Sequence, residues 1–182
     1  MNRRQASFQA FREGGSPDGE HLRISFGSDE RTHLTDFIER ELRDRGHEVV
    51  PVGPPAGQPL QWTDVAREVA ERVSSARADE GVLCCWTGTG VSIAANKLPG
   101  VRAALCGDAE TARGARAWND ANLLCLSLRT TSEALAKEIL EAWFSARPDA
   151  SEAENVEKLK RLDRSYRRPE APSSAEGEKG RV

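Results

Sequence analysis

The chain has 182 residues, 38% of them apolar and 5% aromatic, and a formal net charge of −3. That is room for one domain of the usual ~100 to 200 residues with an aliphatic core, and not for two. The acidic balance supplies no field to gather phosphate backbones, which argues against nucleic acid as a partner, and no apolar run reaches the ~18 to 20 residues that cross a bilayer. Residues 1–20 lack the apolar stretch of a secretory signal, and Cys84, Cys85, Cys106 and Cys125 form no CxxC spacing. They read as reduced thiols of a cytoplasmic protein. The three histidines, His21, His33 and His47, are far in sequence from the cysteines, so no zinc-ligand spacing arises.

In chain order, residues 1–20 are polar and aperiodic and read as a disordered leader, followed by a domain over 21–165 and a disordered tail over 166–182. Within the domain, apolar runs at 22–28, 47–53, 81–88, 101–107 and 122–128 predict five strands. Segments with apolar residues three or four apart at 34–46, 63–77, 90–97, 108–118 and 131–146 predict five helices between and after them. A sixth, at 151–165, is expected to extend from the body of the sheet. Strands and helices in alternation predict a three-layer α/β/α, Rossmann-like fold with a five-stranded parallel sheet. In such sheets ligands bind beyond the carboxyl ends of the strands, where Asp29, residues 87–90 and residues 107–108 are expected to converge.

The segment GVLCCWTGTGVSIAANK at 81–97 reads as a strand, a glycine turn and a helix. Gly88 and Gly90 are expected at a tight bend whose N–H groups face outward. Such N–H groups favour a phosphate, a carboxylate or the oxyanion of an enediolate. Cys85 stands just before the turn, where amide dipoles favour thiolate over thiol and suit it to act as a base. Taken alone, a cysteine at a strand end is more often a packing residue.

This segment is similar to the signature of the ribose-5-phosphate isomerase B and galactose-6-phosphate isomerase subunit family. PGVRAALC at 99–106, WNDAN at 118–122 and SEALAKEI at 132–139 follow in the family's order, after RISFGSD at 23–29 and RGHEVVPVG at 45–53. The resemblance implies an aldose–ketose isomerase that moves a proton between C1 and C2 of a sugar. It places Cys85 as the base, with Thr87 and the backbone of Gly88, Thr89 and Gly90 steadying an enediolate. It places Asp29 on substrate hydroxyls and in ring opening, and Asn119 on substrate. It also implies no metal or organic cofactor, and a homodimer or dimer of dimers with active sites lined by both subunits.

Several positions depart from the family pattern. Trp118 stands where the family has a ring-opening histidine, and an indole cannot exchange protons near neutral pH. Glu30 replaces a histidine that helps hold phosphate, and His33 reads as a surface residue at a helix start. Ser151 and Asn155 occupy the register of two phosphate-clamping arginines. Trp86 replaces a glycine and Gln61-Trp62 an Asp-Tyr, placing indoles at the pocket or in packing. Together these changes imply a substrate that is open-chain or lacks a phosphate. Ordinary ribose-5-phosphate isomerase activity, with Arg31, Arg129 or the C-terminal basic residues serving the phosphate, stays open, as does a non-catalytic sugar-binding protein.

Overall fold

A computed structural model describes residues 21–54 and 60–166; the expected leader and residues 167–182 of the expected tail lie outside the described residues. The strands are β1 (Arg23–Ser28), β2 (Glu48–Val52), β3 (Glu80–Cys85), β4 (Ala103–Leu105) and β5 (Leu123–Ser127). The helices are α1 (His33–Asp44), α2 (Trp62–Ser74), α3 (Thr89–Ala95), α4 (Ala109–Asn119), α5 (Glu133–Ser145) and α6 (Ala153–Ser165), the last preceded by a 3₁₀ turn at Ala150–Glu152. All strand pairings are parallel in the order β2-β1-β3-β5-β4, so β3 is central. Each of its six residues is buried, as a strand covered on both faces requires.

Side chains alternate across β3 and divide the core in two. Val82 and Cys84 pack with Ile38 and Leu42 of α1, Ala115 of α4 and Ile139, Leu140 and Trp143 of α5. Leu83 and Cys85 pack on the opposite face with Val65, Ala66, Val69 and Ala70 of α2 and Val91 and Ala95 of α3. The three-layer architecture expected from the alternation is therefore present. Gly27 lets α2 approach β1, because a Cβ there would stand 2.7 Å from Val69 and 2.8 Å from Val65.

Helix starts follow from local chemistry. Thr32 and Thr35 form a reciprocal capping box at α1, Asp108 accepts from the Thr111 N–H at α4, and Ser132 accepts from the Leu135 N–H at α5. All five strands are shorter than their apolar runs, and for two of them the cause is a specific hydrogen bond. The third ends at Cys85 because the Gly88 N–H turns back to the Cys85 carbonyl. The fourth begins at Ala103 because the Arg102 N–H is taken by the Asn122 side chain at 2.8 Å. The edge of β4 is covered in turn by Asn96, whose amide donates to the Ala103 carbonyl at 2.8 Å and accepts from the Ala103 N–H at 2.9 Å. A side chain that copies a strand's hydrogen bonds closes an edge to foreign strands.

At the amino end of β3, Glu80 is buried yet satisfied. One oxygen accepts from the Trp143 indole at 2.7 Å and the other pairs with Arg116 at 2.6 Å. The Arg116 guanidinium also lies 5.2 Å from the Trp143 ring centroid. Trp143→Phe removes the donor to a buried carboxylate, and is expected to lower stability by about 1–3 kcal/mol without altering secondary structure. The denaturant midpoint and far-ultraviolet circular dichroism read the two effects.

Candidate active site

The carboxyl ends of β1, β3 and β5 and the turn into α3 form one connected patch. Ser28 pairs in register with Cys84, and Cys85 with Ser127, so Asp29, Cys85 and Ser127 stand side by side on three adjacent strands. The Cys85 carbonyl accepts from Gly88 at 3.2 Å and from Leu128 at 2.9 Å, and the Trp86 carbonyl from Arg129 at 3.0 Å. The Ser127 hydroxyl donates to the same Trp86 carbonyl at 3.0 Å. Ser127 was not singled out in the sequence, where a serine closing an apolar run carries no motif.

Gly88 has φ +72°, and a Cβ there would lie 2.5 Å from a Leu105 methyl and 3.0 Å from the Leu126 carbonyl. Only glycine satisfies both constraints. Two expectations about the turn are corrected. The Gly88 N–H does not face outward, being committed to the Cys85 carbonyl. Gly90 lies within α3 instead of in the bend, and its missing side chain makes room for the Trp62 ring, 3.1 Å from a Cβ placed there. Thr87 and Thr89 are exposed and share a hydrogen bond of 2.7 Å between their hydroxyls.

Cys85 is 5% exposed, whereas Cys84 and Cys125 are fully buried. Burial pushes the Cys84 and Cys125 thiols far up and the Cys106 thiol up to about 12, so these three are held neutral. Asp29 is half-buried, and one of its oxygens is buried with no partner among the described residues. Desolvation raises its carboxyl above the ordinary carboxylate value, with a smaller push from the Glu30 charge.

One chain does not unite all the expected residues. Because α4 runs back from Asp108 to the start of β5, Trp118 and Asn119 lie at the amino end of the sheet, away from Cys85. Trp118 is exposed and covers Gly114 of its own helix. Asn119 lines a cleft of about 390 Å³ with Asn96, Arg102, Leu159, Leu162 and Asp163. Glu30 lines a second cleft, of about 410 Å³, with Ser28, Arg31, Asp36 and Glu39. Among the described residues neither cleft is lined by Cys85. Trp86 and Arg129 are exposed at the carboxyl end of the sheet, and His33 is exposed at the start of α1. Ser151 hydrogen-bonds to Asp149 at 2.8 Å and Asn155 to Glu152 at 2.8 Å, so both positions carry an acidic neighbour. No group of three or more His, Cys, Asp or Glu side chains able to hold a metal ion occurs among the described residues, and none of their helices is long and apolar enough to cross a membrane.

The fold is shared with known isomerases. Residues 24–162 match the Ribose/Galactose Isomerase family. The chain is 37% identical over 128 residues to ribose-5-phosphate isomerase B of Escherichia coli, covering 68% of this chain and 84% of that protein. It is 36% identical over 141 residues to D-erythrulose-4-phosphate isomerase of Pectobacterium atrosepticum, covering 76% and 93%. The structure of ribose-5-phosphate isomerase B from Clostridium thermocellum superposes with a TM-score of 0.75 at 37% identity, covering 80% of this chain and 99% of that one. Fold and family match thus define an aldose–ketose isomerase. The chain belongs to the ribose/galactose isomerase family.

The raised Asp29 carboxyl has a consequence for stability. The folded chain binds that proton more tightly than the unfolded chain, so this group's contribution becomes unfavourable as pH rises above its unfolded value. Asp29→Asn, neutral throughout, is expected to raise Tm over the parent at about pH 7 and to leave it unchanged at about pH 3. Calorimetry at the two pH values checks this, and isomerase activity is expected to fall in the same variant.

Proposed function

We propose that the protein interconverts an aldose and a ketose through an enediolate, with Cys85 moving the proton between C1 and C2, on a sugar that is open-chain or not phosphorylated. The observation that carries the reading is the row of Asp29, Cys85 and Ser127 at the carboxyl ends of three neighbouring strands, beside the first turn of α3. The thiolate takes the proton α to the carbonyl and returns it to the neighbouring carbon. The developing oxyanion lies toward Thr87 and the N–H groups of Thr89 and Gly90, which have no acceptor within a helix at its first turn. Asp29 accepts from substrate hydroxyls, which supplies the partner its buried oxygen lacks. Of the four thiols, Cys85 is the one that ends a strand and retains the most exposure.

Support for the altered substrate comes from Trp118, which cannot open a ring by proton transfer, and from the acidic neighbours of Ser151 and Asn155, which repel a phosphate dianion. Sugars whose ring-closing hydroxyl is absent or esterified need no ring opening, and one relative is named for D-erythrulose 4-phosphate. The second reading, ordinary ribose-5-phosphate isomerisation, is favoured by the 37% identity to the E. coli enzyme.

Incubation in deuterated water with ribose 5-phosphate, unphosphorylated aldoses and keto-uronates separates the two. Exchange at the carbon next to the carbonyl is expected with an unphosphorylated or open-chain sugar, and rapid turnover of ribose 5-phosphate overturns the altered-substrate reading. Cys85→Ser is expected to abolish exchange with the fold intact. Cys84→Ser, on the other face of β3, is expected to retain exchange but lose about 1–3 kcal/mol of stability by burying a hydroxyl. Equal loss of exchange in both, with both folded, sinks the assignment.

We further propose that the protein acts as a dimer in which Trp118 and Asn119 of one subunit complete the site around Cys85 of the other. Their position at the opposite end of the sheet within one chain supports this. Mixing unfolded Cys85→Ser and Asn119→Ala chains and refolding them together is expected to restore about a quarter of the activity, since half the dimers are mixed and each of those has one intact site.

A further inference from the structure

Trp62 stands beside the site without a part in the chemistry assigned above. It is the first residue of α2, with Gln61 as N-cap, so its side chain lies at the carboxyl end of the sheet. One turn along α2, Val65 is buried with Cys85, Val52 and Val91. Residues three apart share a helix face, which makes Trp62 the next layer outward on the sulfur's side of β3. The chain entering α2 is tied to β1 as well, because the Leu60 N–H donates to the Asp29 carbonyl at 3.2 Å.

The contact with α3 is specific in its geometry. A Cβ on Gly90 would lie 3.1 Å from Cε3 of the indole and 3.3 Å from each of its bonded neighbours, Cδ2 and Cζ3. A ring met edge-on would carry those neighbours much farther away, so the indole rests on Gly90 by its face. Trp62 nevertheless keeps 41% of its surface exposed. An aromatic plane is thus seated on the first turn of α3, between the end of β1 and the turn that follows Cys85.

We infer that Trp62 is a specificity-determining residue, a flat and uncharged wall on the Cys85 side of the crevice that takes the C–H face of an extended, open sugar chain. This deepens the proposed function and rests on it for which carbons the wall aligns with the sulfur. Aromatic faces hold the apolar faces of polyols without any charge on the ligand. An indole laid over Gly90 also fills the space that a puckered sugar ring would need.

The test uses the full chain with D-erythrulose and D-ribose 5-phosphate as probes. Trp62→Ala is expected to raise KM for D-erythrulose about tenfold with kcat within about threefold, and Trp62→Phe to stay near the parent. Gly90→Ala presses a methyl against the ring and is expected to raise KM in the parent but add little in the Trp62→Ala background, as two changes to one contact should. A residue that only packs would lower Tm without this split. Titration calorimetry of D-erythrulose into Cys85→Ser reads the wall without turnover. Unchanged KM and affinity in Trp62→Ala, full additivity with Gly90→Ala, no binding of D-erythrulose, or tighter binding of D-ribose 5-phosphate each overturn the inference. Binding that depends on Trp62 in a wild-type protein showing no deuterium exchange instead overturns the role of Cys85 and leaves the wall standing.

Discussion

The carbonyl of Cys85 accepts two N–H groups, from Gly88 and from Leu128, and the rest of the site is arranged around that junction. The first bond ends the central strand and turns the chain into α3 within three residues. The second ties the turn to the end of β5. Such a tight return brings Gly88 against the Leu126 carbonyl with positive φ, so a side chain is excluded on steric and conformational grounds together. Once this turn is made, Trp86 and Thr87 are left exposed and the first turn of α3 stands beside the last residue of β3.

Two adjacent cysteines meet opposite fates for a geometric reason. Alternation sends Cys84 into the α1, α4 and α5 layer, where burial is complete, and Cys85 toward α2 and α3, near the rim. Neighbouring residues of one strand therefore differ in exposure, Cys84 being fully buried and Cys85 keeping 5% of its surface at the end of the strand. The same side of the sheet carries Val65 and Trp62, so α2 determines how the sulfur is covered.

Carboxylates at the two ends of the sheet are treated in two ways. Glu80, at the amino end of β3, has both oxygens matched by Trp143 and Arg116 and pins two helices to the sheet. Asp29, at the carboxyl end of β1, keeps an oxygen buried without a partner among the described residues. An unmatched polar atom is unfavourable in a folded protein unless something else supplies the missing hydrogen bond, which is what a substrate hydroxyl would do. At the other end of the molecule Asp149 accepts from the Ser151 hydroxyl and Glu152 from the Asn155 amide.

The sequence alone determined the α/β class, the five strands, the helices between them and the strand–turn–helix segment at 81–97, because apolar periodicity and glycine placement are local properties. It also determined that Cys84 and Cys85 face opposite ways, since alternation along a strand needs no tertiary information. Only the tertiary structure decided the strand order β2-β1-β3-β5-β4, which depends on how the helices cross the sheet. It also decided that Asn119 and Trp118 lie at the far end of α4 from Cys85, that Gly90 is a seat for Trp62 instead of part of a bend, and that Asn96 guards the edge of β4. These last relations join side chains to residues distant in sequence or on another element, and no local pattern encodes which surfaces a packed fold will bring into contact.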